Sequence, residues 1–157
     1  MLQIKRFKEL NKEILDVIIN KHYSHWSKYS PTMSLENTID KFRNIYAVND
    51  EIPFGIAMFD NDNLIGFCVF KVECLKKYPE FSPWISDVMI FDKFRNKGYG
   101  KKLINEALKT LSSLGYNKAY LWTDQAPDFY KKLGFSFLQI VEKNEGGFGE
   151  LYIKEIE

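Results

Sequence analysis

The chain has 157 residues, 45% hydrophobic and 27% charged, the profile of one domain large enough to bury about two-thirds of its unfolded surface. Aromatic residues reach 16%, with 13 Phe, 9 Tyr and 3 Trp, which excludes a disordered or low-complexity chain. Twenty-two basic against 21 acidic side chains leave +1 overall, too small an excess for wrapping a nucleic-acid backbone. No apolar run approaches the length of a membrane span.

Residues 2–7 read as a short strand, and Met1 to Arg6 lack the apolar stretch of a signal peptide, so a cytoplasmic protein is expected. Over residues 8–21, Leu10, Ile14, Leu15, Val17, Ile18 and Ile19 recur at helical spacing. An aromatic and hydroxyl-rich stretch follows from His22 to Pro31. Ser34 with Asn37 marks the start of a second helix over 35–45. Residues 54–60 and 64–73 form a β-hairpin about Asn61, Asp62 and Asn63, which tolerate left-handed turn conformations. Pro79 and Pro83 bracket a loop before an apolar strand over 84–91. Residues 99–114 carry Leu103, Ile104, Ala107, Leu108, Leu111 and Leu114 on one helical face, and Gly115 stops the helix. A strand over 118–123, a short helix over 127–133 opened by Pro127, and strands over 135–142 and 149–156 complete the chain. With no internal repeat and no linker, residues 1–157 are read as a single domain. Helices separating strands predict an α/β domain with a mixed sheet. Cys68 and Cys74 sit on one extended segment about 20 Å apart, beyond disulfide reach.

The segment from Asp92 to Leu103 joins an apolar strand to an amphipathic helix and carries five basic residues against one acid. Glycines let backbone approach a ligand, and a helix N-terminus offers unpaired N–H groups to an anion, so this turn suits a pyrophosphate. No Walker string exists, and a dinucleotide fingerprint starting at Gly98 fails because position 103 is Leu. Asp124 sits where a ribose-binding acid would follow, but only 33 residues remain after it, too few for a second Rossmann half.

Arg95-x-x-Gly98-x-Gly100 after a strand resembles the acetyl-coenzyme A signature of the GNAT N-acetyltransferases. Downstream, Ala126-Pro127-Asp128-Phe129-Tyr130 through Gly134-Phe135 resembles that family's second motif. The resemblance covers essentially the whole chain and is strongest over 84–135. It implies a mixed, strongly twisted β-sheet flanked by helices, an enzyme, and acetyl-CoA as cosubstrate without a metal. The strand before the signature would splay from its neighbour, leaving Val88, Met89 and Ile90 to bind the pantetheine arm. Arg95, Asn96, Lys97, Gly98, Tyr99, Gly100 and Lys101 would hold the pyrophosphate, with Thr123 and Phe129 completing the cofactor site. Thr123 stands where the family often has Asn. Tyr130 matches the family's general acid on the departing sulfur.

The reaction so implied is acyl transfer from a thioester to an amine, which must first lose a proton because alkyl ammonium pKa values lie near 10. Many family members place a Glu at the start of the fourth strand; here that position is Trp84. Simple strand alternation groups Asp87 with Ile85 and Met89, opposite Trp84, Ser86 and Val88. Asp87, Glu73 and an ordered water held by Ser86 or Glu73 all stay open as the base. The family builds acceptor pockets from segments that correspond here to 22–33, 78–84 and 143–149, and Trp26, Tyr29, Trp84 and Asp87 are the candidate substrate contacts. A cationic amine suits the aromatics among them. His22 and His25, without carboxylate or cysteine partners, make no metal site.

The expected function is therefore N-acetylation of a primary amine on a small molecule: aminoglycoside-like, polyamine or amino-acid-like. Glu36, Asp40, Glu73, Glu80 and Asp87 are the acids available to meet a polycation. The alternatives are a non-catalytic acyl-CoA-binding sensor and a protein or peptide N-acetyltransferase, which needs a groove open at both ends. The resemblance also implies a homodimer paired through the C-terminal strands. A nucleic-acid partner is not expected, since the basic residues form one loop rather than a stripe.

Overall fold

The structure is a computed structural model and describes residues 1–157. Seven strands form one sheet in the order β1-β2-β3-β4-β5-β7-β6. They are β1 (Leu2–Arg6), β2 (Phe54–Asp60), β3 (Asn63–Lys71), β4 (Trp84–Ile90), β5 (Lys118–Thr123), β6 (Ser136–Glu142) and β7 (Phe148–Glu155). The helices are α1 (Lys12–Trp26), α2 (Leu35–Asn44), α3 (Tyr99–Ser113) and α4 (Pro127–Lys132). All neighbouring strands are antiparallel except β4 and β5. None of the helices is long and apolar enough to cross a membrane.

The sheet is apolar on both faces. On β2, Phe54, Ile56 and Met58 meet Leu103, Ile104, Ala107 and Leu111 of α3 on one face. Ala57 and Phe59, from the alternate positions, join Leu15, Ile18 and Ile19 of α1 and Phe42 of α2 on the other. Period-2 alternation on the strands thus meets the helical stripes on both sides. Beyond the reach of α1 and α2, Leu75 from the 72–83 loop covers Trp84, Tyr120 and Leu151.

Helix starts follow local chemistry. The side chain of Asn11 accepts the Ile14 N–H (2.9 Å) and that of Ser34 accepts the Asn37 N–H (3.1 Å), two N-caps that release otherwise unpaired donors from solvent. The β2–β3 turn places Asn61 and Asp62 at φ +51° and +74°, the two positive angles of a primed hairpin turn.

Two expectations are corrected here. The first helix does not run over 8–21. Phe7–Glu9 is a 3₁₀ turn, with Glu9 accepting the Arg6 N–H (3.0 Å), so Leu10 lies outside the helix. At its far end α1 continues through Trp26, because no glycine or proline interrupts it before Pro31. His22, Tyr23, His25 and Trp26 therefore stand on helix rather than loop. Cys74 lies past the end of β3, so the two cysteines do not share a strand; both are free thiols.

Candidate active site

β4 and β5 pair at a single position, Trp84 with Tyr120. Past that bridge the two strands no longer form a ladder, and the β5-facing backbone edge of Val88, Met89 and Ile90 has no strand partner. Such groups must find donors and acceptors elsewhere. On the α3 side of this opening lie the N-terminus of α3 and helix α4.

The α3 N-terminus is bare. Gly98 is its N-cap at φ +82°, no side chain caps it, and Asn96 also has a positive φ of +61°. A β-carbon on Gly98 would meet nothing within 4 Å, so the glycine serves conformation rather than room. Successive backbone N–H groups in such a turn form an anion-binding concavity on a positive helix end. Lys97 and Lys101 are exposed beside it and have no carboxylate within ion-pair distance. Arg95 turns back instead, its Nε donating to the Ile90 carbonyl (3.0 Å), which ties the loop to the end of β4. Tyr99 contributes only backbone here, because its hydroxyl donates to Asp60 (2.7 Å) at the far hairpin. The two motifs meet at one contact: a β-carbon on Gly100 would lie 3.1 Å from the Phe129 ring.

On α4, the ring of Tyr130 lies 5.0 Å from that of Phe129 and 5.8 Å from that of Phe135. Burial, reinforced by the neighbouring Cys68 thiol, pushes its phenol up to about 12. The proton is therefore held firmly at neutral pH. Thr123 is buried, and its hydroxyl oxygen accepts the N–H groups of Gln125 and Ala126 (3.3 and 3.0 Å), shaping the turn into α4.

On the opposite face of the sheet, between α1, α2 and the β6–β7 turn, lies a cleft of about 820 Å³ with an adjoining space of about 420 Å³. Its floor is Asp87. β4 bulges there: Val69 pairs with Ser86 and Phe67 with Met89, while Asp87 sits at φ +53°. The extra residue overturns simple alternation. Val88 and Ile90 pack with Ile85 toward α3, whereas Asp87 is turned away from Ile85 to the α1 side. Asp87 approaches Lys71 Nζ at 3.2 Å and His22 Nε2 at 3.3 Å, and accepts the Ser86 hydroxyl at 2.9 Å. Burial raises the Asp87 carboxyl, but the Lys71 ammonium, then His22 and Ser86, outweigh it and hold it far below the usual range. For Lys71, burial is likewise outweighed, by the Asp87 charge, and its ammonium is held above its ordinary value.

Trp26 lines both spaces and Tyr29 the adjoining one. Trp84 lines neither. It is fully buried against Leu75 and Tyr120, with its indole N–H donating to the Phe81 carbonyl (2.6 Å), so it is core. Of the five acids expected to meet a polycation, Asp87 alone lines the cleft. His22 and Lys71 were missed by sequence reasoning. The sequence offers His22 only as the start of the 22–33 pocket segment and as a poor metal ligand, with nothing to join it to Asp87, and Lys71 looks like an ordinary charged strand end. The nearest available signal was a charged residue closing the apolar run Phe67–Cys68–Val69–Phe70. Across the cleft mouth, Glu145 of the β6–β7 turn accepts the hydroxyls of Ser30 (2.7 Å) and Thr32 (2.9 Å).

The model of the Acetyltransferase (GNAT) family matches residues 13–135, and the chain belongs to that family. Over 54 residues, 32% of this chain, it is 48% identical to the uncharacterized N-acetyltransferase CgeE of Bacillus subtilis strain 168; the match spans 21% of that protein's length. Among solved structures, an aminoglycoside 6'-acetyltransferase type Ii superposes with a TM-score of 0.74 at 21% identity, over 99% of this chain and 97% of that one. A spermidine N-acetyltransferase from Vibrio cholerae, in complex with CoA and spermine, gives 0.73 at 20% identity, over 98% and 95%. At these identities the likeness concerns the fold: a mixed α/β sheet flanked by helices.

Proposed function

We propose that this protein is an acetyl-CoA-dependent N-acetyltransferase that acylates a primary amine of a small molecule by direct attack in a ternary complex. The carrying observation is the opening between β4 and β5, which has the bare α3 terminus on one face and the Asp87 cleft on the other. Acetyl-CoA, when bound, supplies an acetyl group activated as a thioester. The β4 edge at Val88, Met89 and Ile90, which has no strand partner and whose Ile90 carbonyl is taken by Arg95, would offer backbone groups to its amide arm. The N–H groups from Lys97 to Lys101 offer those its pyrophosphate needs.

The backbone of Val88–Met89 would donate to developing oxyanion charge. Tyr130, with its proton held, donates to the departing sulfur. Asp87 is too weak a base to deprotonate an ammonium. Its part is to fix Lys71 and His22 at the cleft floor, and Glu73 is exposed and outside the cleft. The acceptor ammonium gives up two protons, one to water before attack and one from the tetrahedral intermediate, which returns through water to Tyr130. The Glu145 bridge argues against a groove open at both ends and hence against a protein acceptor. The absence of a poised carboxylate base at the Trp84 position keeps the acyl-CoA-binding sensor as the second reading. The proposed setting is cytoplasmic. A homodimer would use β6, one of the sheet's two edge strands, whose Phe137, Leu138 and Ile140 are exposed.

Thiol release from acetyl-CoA across amino acids, polyamines and aminoglycosides tests the enzyme. Turnover on one class, falling at least tenfold in Tyr130→Phe with acetyl-CoA affinity retained, is expected. Tight acetyl-CoA binding without release on any amine would move the assignment to the sensor.

A further inference from the structure

Resting on the acetyltransferase reading, we infer that the acceptor is an amine that also carries an anionic group, such as a carboxylate, rather than a polycation. The charge inventory of the cleft carries this. The 820 Å³ space is lined by two carboxylates, Asp87 and Glu145, against three ammoniums, Lys41, Lys71 and Lys76. Both carboxylates are already engaged. Asp87 is neutralised by Lys71 at 3.2 Å, and Glu145 is held by the Ser30 and Thr32 hydroxyls, with Lys76 close enough to act on it. In the adjoining space Asp124 is paired with Lys143 at 2.8 Å.

Counting Asp87 against Lys71 and Glu145 against Lys76 leaves Lys41 on α2, and neither Lys41 nor Lys76, in the 72–83 loop, forms an ion pair within 4 Å, so the net charge left to a ligand is positive. A polyamine or aminoglycoside entering here would bring several ammoniums into a cleft whose own side chains already sum to a positive charge. Like charges at that range repel, and partial enclosure weakens screening. An amine bearing one acid group instead points its nucleophile toward the β4 bulge and its acid toward Lys41 and Lys76, while Trp26, Met33 and Tyr46 face its apolar portion. Opposite charges at its two ends fix its orientation in the cleft.

The test uses matched amines that differ by one carboxylate, tyrosine with tyramine and lysine with cadaverine, plus spermidine. Each is measured two ways on the CoA-loaded full chain: by thiol release with acetyl-CoA, and by calorimetric binding with CoA. The carboxylated member is expected to bind at least tenfold tighter and to show at least tenfold higher kcat/KM. In Lys41→Met/Lys76→Met this preference should collapse to within twofold, through KM and not kcat. Equal or tighter binding of the decarboxylated amine or spermidine overturns the inference, as does a preference that survives in the double variant. Preferential binding of the acid member without thiol release supports the inference while overturning the enzymatic function instead.

Discussion

The Asp87–Lys71 pair governs what its residues can do. An ionised carboxylate and an ammonium, 18% and 23% exposed at their side chains, compensate each other. Removing one leaves the other uncompensated in a mostly buried site. Asp87→Asn is therefore expected to cost about 3 kcal/mol of unfolding free energy by urea titration. Asp87→Asn/Lys71→Met should recover part of that loss, since no charge stays uncompensated. The pH dependence follows from the directions of the shifts. The folded carboxyl titrates below its unfolded value, so its contribution is complete above about pH 4 and fades as pH falls further. The folded ammonium titrates above its unfolded value, so its contribution is complete below about pH 10 and fades as pH rises. The stability gap between parent and double variant should hence be flat from about pH 5 to pH 9. A slope inside that window would mean that the pair is not the source of the gap.

At the scale of elements, the decisive feature is how β3 and β4 are stitched around the bulge. A β-carbon on Gly66 would lie 2.2 Å from the Met89 carbonyl oxygen, a backbone atom that cannot swing aside. Gly66→Ala should destabilise the fold by at least about 2 kcal/mol and raise the KM for acetyl-CoA, because the displaced backbone is the edge that would receive it. This stitching also marks where the sequence was legible. The β2 and β5 ranges, the α3 face and the signature turn could be read directly, because period-2 and period-3.6 patterns and glycine punctuation report local forces. The bulge could not. One inserted residue changes no composition and no spacing of the flanking strand, yet it turns Asp87 away from Ile85. The same holds for Trp84, whose type suits a pocket and a core equally. Its fate was decided by Leu75, Tyr120 and Leu151, none of them near in sequence. His22 and Asp87 are likewise joined by folding, not by spacing.

For the whole molecule, the Glu145 bridge joins the two halves across the cleft mouth, linking the α1–α2 connection to the β6–β7 turn. Its hydroxyl donors, Ser30 first and then Thr32, hold this carboxyl below its ordinary range, and the contact is exposed. Glu145→Ala should leave the melting temperature within a degree or two. Amide hydrogen exchange over residues 143–147 should nevertheless quicken at least tenfold. Unaltered exchange there would mean that the turn is held by its own backbone bonds, Lys143 N–H to Gly147 carbonyl (2.9 Å) among them.

The lone Trp84–Tyr120 bridge has a broader meaning for the molecule's mechanics. In its hydrogen-bond ladder the sheet of seven strands is joined at its middle by one rung, with β1 to β4 on one side and β5 to β7 on the other. The rest of that junction is held by side chains such as Ile85, Leu121 and Tyr152 packed against α3. A ligand lying along the free edge of β4 acts as a splint, supplying the rungs that the polypeptide omits. Coenzyme A should therefore raise the melting temperature in proportion to the logarithm of its concentration. The amides of Val88 and Ile90 should gain far more exchange protection than those of β1 or β6. The fold would then leave part of its own rigidity to be supplied by its cosubstrate.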